Sequence, residues 1–360
     1  MPTNHRLSPA MLEAAQLTRA GRVLEATEAI QRALRQQPAP SGRVIEGVFS
    51  RVEEPRERHE EPRERQGAKE PLERRSGKFI SGSFANEHGA RPYKLYLPAG
   101  HAGKALPLIV MLHGCTQTVD DFAAGTRMNA LAEERQCFVL YPAQTQSANR
   151  SRCWNWFKRG DQRRDKGEPA IIAGMTREVA SRYGIDARKV YVAGLSAGGA
   201  MAAVMGAAYP DLYAAVGIHS GLAAGSAHDV PSAFAAMQGT PPPPVRAAAS
   251  SHAKRTLPII VFHGDRDSTV HPRNGEQVVS ASAARNAASG NTVSVERGRV
   301  PGGHAYTRTV HTDPDARVVL EHWLVHGAGH AWAGGSASGS YTDPKGPDAA
   351  REMLRFFLLC

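Results

Sequence analysis

The chain has 360 residues, 41% of them hydrophobic, and 44 Lys+Arg against 34 Asp+Glu give a formal charge of +10. That apolar content is enough for a sizeable core, while no apolar run approaches the about 18 residues that cross a bilayer, so no membrane span is expected. The basic residues are interspersed with acids and accompany no nucleic-acid-binding motif, so the charge reads as solvated surface and no nucleic-acid partner is expected.

The start, Met1-Pro2-Thr3-Asn4-His5-Arg6-Leu7, lacks the apolar stretch of a secretory signal, which makes the cytoplasm the default compartment. Ser8-Pro9 offers an N-cap with proline at the first helical position. Leu12, Ala15, Leu17, Leu24, Ala26, Ile30, Ala33 and Leu34 then recur at helical spacing with Gly21 as a turn, so residues 8–37 read as a helix or helical hairpin. The pattern is like half of a tetratricopeptide unit, which cannot bury its own face. It is expected to dock, on a protein partner or on its own following domain, or else to remain mobile. From Glu53 the phrase Glu-Glu-Pro-Arg-Glu-Arg repeats at Glu60 and apolar residues almost vanish. Such a segment cannot offset its ordering entropy by burial. The expected organisation is a helical extension at 1–49, a charged disordered linker at 50–77 and a catalytic domain at 78–360.

From Phe79 onward strands and helices alternate. Residues 79–84 and 93–98 read as opening antiparallel strands, followed by strands at 106–112, 138–142, 189–193, 214–218, 257–262 and 317–325. Helices are expected at 126–135, 171–183 and 347–358. Near-continuous Val/Ile/Leu strands alternating with helices predict an α/β fold, a mostly parallel central sheet with helices on both faces. Reactive groups in such sheets lie at the carboxyl ends of the strands.

Four strand ends carry the chemistry. Gly194-Leu195-Ser196-Ala197-Gly198 lies between a strand and a helix, the context of a nucleophile elbow, and makes Ser196 the nucleophile. His263-Gly264-Asp265-Arg266-Asp267 follows the 257–262 strand. A carboxylate there accepts the Nδ1–H of a catalytic histidine. The His-Gly-x-x-Asp-x-x-Val spacing selects Asp267 over Asp265, which suits the turn. His326-Gly327-Ala328-Gly329-His330 follows the 317–325 strand and offers His330 as base, with His304 as its main rival and His326 as a strand-end residue. His113-Gly114-Cys115-Thr116-Gln117 follows the 106–112 strand, where the N–H of Cys115 joins that of Ala197 as an oxyanion hole. His113 is expected to be a structural hydrogen-bonding residue.

Together with Cys153-Trp154-Asn155-Trp156-Phe157 and Gly329-His330-Ala331-Trp332, these motifs stand in an order that resembles the polyhydroxybutyrate-depolymerase-type esterase family. Feruloyl and acetylxylan esterases are among its relatives. The resemblance covers residues 78–358. It implies an α/β-hydrolase fold and a serine carboxylic-ester hydrolase without cofactor or metal, acting on short-chain or oligomeric hydroxyalkanoate esters. Esters of plant polysaccharides are the alternative substrates, and a non-catalytic interaction protein using its helical head is the alternative class. Polymer degraders of this family often carry a polymer-binding domain, and none follows Cys360, so soluble or short esters are favoured over crystalline polymer.

Trp154, Asn155 and Trp156 fall on a long charged loop and, with Trp332, are candidate substrate contacts whose rings would line an apolar cleft. A packing role for one of the loop tryptophans is the alternative. Residues 236–244, ending in tetraproline, read as a cap-like insertion or a plain surface loop. Cys115 and Cys153 both sit at the active-site end of the sheet, which leaves a disulfide between them open, although a reducing cytosol disfavours one. Cys137 reads as a strand residue and Cys360 as an exposed thiol.

Overall fold

A computed structural model describes residues 77–241, 256–286 and 290–360, all within the unit Arg75–Cys360. The expected helical extension (1–49), nearly all of the charged linker (50–77) and most of the tetraproline lie outside the described residues. No helix among the described residues is long and apolar enough to cross a membrane.

The chain enters through the antiparallel hairpin β1 (Lys78–Asn86) and β2 (Gly89–Leu97). Next come β3 (Leu108–Leu112), helices α1 (Val119–Thr126) and α2 (Met128–Arg135), and β4 (Phe138–Pro142). The helix expected at 126–135 is α2, which opens two residues later, while α1 before it was not expected; Arg127 takes a left-handed φ of 55° and closes α1 as it opens α2. A long loop then leads into α3 (Gly167–Tyr183), followed by β5 (Val190–Leu195), α4 (Ala197–Ala208), β6 (Ala215–His219), α5 (Val230–Met237) and β7 (Ile259–Gly264). The chain continues through α6 (Arg273–Asn286), strands β8 (Thr292–Arg299), β9 (Ala305–Thr312) and β10 (Val318–His326), and the two-residue strands β11 (Trp332–Ala333) and β12 (Thr342–Asp343). It ends in α7 (Ala349–Leu359).

Ten strands form one sheet in the order β1-β2-β4-β3-β5-β6-β7-β10-β9-β8. The six from β4 to β10 run parallel, and an antiparallel pair flanks them at each end. Alternation along β3 divides the core between the two faces. Leu108, Val110 and Leu112 pack with Ile172, Met175, Met201 and Met205, while Ile109 and Met111 pack with Phe122, Leu131, Met353 and Phe357. Buried on both faces, these strands are apolar throughout, which is why they stand out in the sequence.

The β8–β9 pair was not expected. β8 is exposed along nearly its whole length, and its alternation of Val293 and Val295 with Thr292, Ser294 and Glu296 stops at Arg297-Gly298, too short a run to mark a strand. The carboxyl ends of the parallel strands, at Leu112, Leu195, His219, Gly264 and His326, all open on one edge of the sheet, and the chemistry-bearing loops leave from there.

Candidate active site

Ser196 sits between β5 and α4 with φ 57° and ψ −119°, a backbone region that costs a non-glycine residue about 1–3 kcal/mol. Its N–H donates to His219 O at 2.9 Å, and its own O accepts Ala200 N at 2.9 Å. The glycine at 198 is obligatory: a Cβ there would fall 2.0 Å from Leu112 O and 2.6 Å from His113 O. The same close approach sets the elbow against the loop that begins at His113. Ser196 makes no side-chain capping bond to its helix, which leaves the hydroxyl available for chemistry.

Asp267 and His330 are brought together by two crossing loops. Asp265 N donates to Val325 O and Arg266 N to Ala328 O, each at 3.0 Å, so the loop after β7 is laced to the end of β10 and the loop that follows it. His330 Nδ1 then lies 2.7 Å from Asp267 Oδ2. The other carboxylate oxygen accepts Thr269 N at 2.9 Å and Val270 N at 2.8 Å. Burial opposes ionisation of Asp267, but the His330 charge and the hydrogen bonds from His263 and His330 outweigh it and hold the carboxyl well below the usual range. Asp267 is therefore a fixed anion aimed at one imidazole nitrogen. Because Nδ1–H donates to it, Nε2 of His330 is left as the basic lone pair. A direct Ser196–His330 hydrogen bond is not among those formed by the described residues; in unliganded sites such bonds are often long and tighten with substrate.

The rival residues are committed elsewhere. Asp265 accepts Gly327 N at 2.7 Å and pairs with His326 Nδ1 at 2.9 Å. His304 pairs with Asp343 at 2.9 Å and does not reach Asp267.

On the other side of the serine, Gly114 N donates to Gln117 Oε1 at 2.9 Å and Thr116 N to Ser151 O at 2.6 Å. Among the described residues the N–H groups of Cys115 and Ala197 have no acceptor. Two free amides flanking the serine are an arrangement able to donate to a developing oxyanion. Cys115 is bonded to Cys153, which fastens this loop to the long loop before α3.

His219 is a residue that the sequence reading passed over. Its carbonyl holds Ser196 N, its Nε2 accepts Ala333 N at 2.9 Å, and its ring stacks between Phe262 and Trp332. It therefore ties the elbow to the segment just beyond His330. The signal available was its place at the end of a parallel strand, like His113 and His263.

All four expected substrate contacts, Trp154, Asn155, Trp156 and Trp332, are buried instead. Trp154 is fully buried and Trp156 is 6% exposed, both within the core cluster on the α3/α4 face; loop residence did not keep these large apolar rings in a cleft wall. Trp332 is 1% exposed, stacked on His219 and edge-on to Phe122. Asn155 is buried too. Its backbone N–H and its Nδ2 donate to Glu168 at 2.7 and 2.6 Å.

Glu168 is the hub of a buried polar network. It also accepts Arg91 and Gln144 side chains; Gln144 Nε2 holds Cys153 O, and Gln144 N donates to His113 Nε2 at 3.1 Å. His113 Nδ1 in turn donates to Gly114 O at 2.8 Å. Every partner of the carboxylate is a donor. Glu168→Gln turns an NH2 against one of them and is expected to cost about 1–3 kcal/mol, read as a lower midpoint in thermal unfolding. An unchanged midpoint would mean the network bears no load.

Three buried histidines set an acid limit on stability. Burial pushes His113 down to about 4, with the Arg152 charge acting the same way, and pushes His219 to about 3 and His322 to about 4. His113 and His219 each accept a backbone N–H at Nε2, which requires neutral rings. The unfolded imidazoles protonate near pH ~6.5. Between there and the folded values the unfolded chain binds more protons, so stability is full above the unfolded value and falls as pH drops. Burial raises Glu168, which acts in the opposite sense, but as one group against three. Urea unfolding at pH 5 is expected to show a loss of about 2 kcal/mol per histidine relative to pH 7. A midpoint that does not move would contradict neutral burial.

The parallel sheet with an elbow serine at the edge where its strands end defines an α/β-hydrolase. The chain belongs to the esterase PHB depolymerase family, whose model matches residues 91–299. It is 35% identical to poly(3-hydroxyalkanoate) depolymerase C of Paucimonas lemoignei over 56% of this chain and 49% of that protein. It is 30% identical to feruloyl esterase B of Neurospora crassa over 73% of this chain and 86% of that protein. Among solved structures it is similar in fold to the acetyl xylan esterase from Aspergillus awamori, with a TM-score of 0.60 at 20% identity, covering 79% of this chain and all of that one. The chain spans about half the length of the depolymerase it matches.

Proposed function

We propose that the protein is a carboxylic-ester hydrolase that works through an acyl-enzyme on short-chain or oligomeric hydroxyalkanoate esters. The observation that carries this reading is the Asp267–His330 hydrogen bond at the same sheet edge as the strained serine of the elbow.

Ser196 Oγ attacks the ester carbonyl while its proton passes to His330 Nε2. Asp267 keeps the ring in the Nδ1–H tautomer and stabilises the cation that forms. The tetrahedral oxyanion is held by the amides of Cys115 and Ala197, each such donor contributing about 10²–10³ in rate. The C–O bond then breaks and the leaving alkoxide takes the proton from Nε2. Water enters, gives a proton to Nε2 and attacks the acyl-enzyme, and the acid departs as Ser196 recovers its proton. Every proton passes through one nitrogen.

The second reading, an esterase for feruloyl or acetyl groups on polysaccharide, is favoured by the extent of the match to feruloyl esterase B. A hydrolysis profile separates them: p-nitrophenyl esters, hydroxybutyrate oligomers and methyl ferulate are compared by kcat/KM. The oligomers are expected to lead. Methyl ferulate leading would favour the second reading, and no turnover of any ester would sink both.

A further inference from the structure

Three non-glycine residues around the oxyanion loop stand at left-handed φ: Thr116 at 68°, Arg152 at 51° and Tyr341 at 51°. For a β-branched threonine this is a steric outlier, and such strain collects where a side chain must be presented in one direction. They come from three loops that meet at Thr116, the residue after the oxyanion donor Cys115. Tyr341 Oη lies 3.2 Å from Thr116 Oγ1. Arg152 Nη1 donates to Thr116 O at 3.5 Å.

The backbone carrying Tyr341 is held on both sides. Ser340 N and Oγ donate to Asp121 at 2.8 and 2.6 Å, and Tyr341 O accepts Trp332 N at 2.7 Å, two residues beyond His330. The ring is thus anchored between the oxyanion loop and the loop of the base, yet it is 44% exposed. A large apolar ring presented to solvent on so rigid a support has a surface to offer a ligand.

Arg152 supplies the complementary charge. Among the described residues no carboxylate lies within ion-pair distance of its guanidinium, and its bond to Thr116 O is at the outer limit of length. The disulfide from Cys115 to the neighbouring Cys153 keeps it beside the oxyanion loop. Its charge reaches the buried His113 behind that loop. A cation with open donors and an exposed ring therefore flank one residue at the mouth of the site.

We propose that Arg152 and Tyr341 form a subsite for the free carboxylate end of a hydroxy-acid oligomer, so that short carboxylate-terminated esters are preferred to neutral ones. This rests on the ester-hydrolase reading above and names its substrate class more narrowly. An oligomeric hydroxyalkanoate ends in one carboxylate, and each hydrolysis exposes another. A guanidinium fork matches that group in geometry and charge, the phenol turns to it the proton that Thr116 Oγ1 accepts in the free site, and the ring face covers the adjoining methylene. The interior of a neutral polymer offers no such anchor.

The test compares kcat/KM for a hydroxybutyrate dimer with its free carboxylate and for the same dimer capped as the primary amide, with p-nitrophenyl acetate reporting ester hydrolysis itself. The unaltered enzyme is expected to favour the acid. Arg152→Met is expected to lower the acid-to-amide ratio about five- to tenfold, chiefly through KM, and Arg152→Lys, which keeps the charge, to restore most of it. High salt is expected to shrink the ratio in the unaltered enzyme, because a half-exposed charge contact is screened; this arm does not depend on how a variant folds. A ratio near one, or one indifferent to both salt and Arg152→Met, overturns the subsite if p-nitrophenyl acetate is still hydrolysed by the unaltered enzyme. Failure of that enzyme to hydrolyse any ester overturns the ester-hydrolase reading and the subsite with it.

Discussion

Ser196→Ala is expected to lower kcat on a p-nitrophenyl ester by about 10⁶, to the residual rate that oxyanion and binding groups alone provide. The fold should survive. Ser196 N donates to His219 O and Ser196 O accepts from Ala200 N, and alanine keeps both backbone bonds. Alanine at a φ of 57° carries the same kind of strain that serine already bears, and the hydroxyl caps nothing. Covalent labelling by an organophosphonate should vanish in the same variant. Labelling that persists would place the nucleophile on another serine and remove the elbow from the mechanism.

Asp267→Asn is expected to depress kcat by about 10⁴, because an amide in place of the carboxylate favours the wrong imidazole tautomer and leaves the forming cation without its partner. Asp267 is 3% exposed, accepts two backbone amides on one oxygen and holds His330 on the other. Asp265→Asn removes a half-exposed pair with His326 that lies beside the site, and exposed pairs contribute little. Its effect on kcat should be small. The comparison is made by steady-state kinetics on one substrate with both variants, and a larger loss for Asp265→Asn would refute the assignment of the orienting carboxylate.

Much of the fold was legible because burial is repetitive. The strands at 108–112, 138–142, 190–195 and 215–219 are covered on both faces and so consist almost wholly of apolar residues, a pattern that survives without any knowledge of partners. The pentapeptide at 194–198 was legible for a steric reason, since the close approach of Gly198 to Leu112 O admits no Cβ. The Asp267 spacing and the glycines around His330 were local features of the same sort. Strand β8 was passed over because its apolar alternation is confined to Val293 and Val295, neither of which is buried to form a core face.

What the sequence determined by itself was the order of the strands along the chain and the residue types at their carboxyl ends, both written in short local runs. Which of those ends meet was decided only in three dimensions. Backbone bonds from the loop after β7 to the end of β10 and the loop that follows it carry Asp267 to His330 across 63 residues of chain. His219 joins the elbow to the segment after His330 through bonds to Ser196 and Ala333. The fate of the tryptophans was tertiary too. Trp154 and Trp156 occupy a loop and Trp332 the two-residue strand β11, in segments that read as cleft wall, yet they lie in the core or stacked on His219, because a large ring gains more from burial than a connecting segment loses by folding inward around it. No local pattern records which neighbour a side chain will be buried against; the packing of distant segments does.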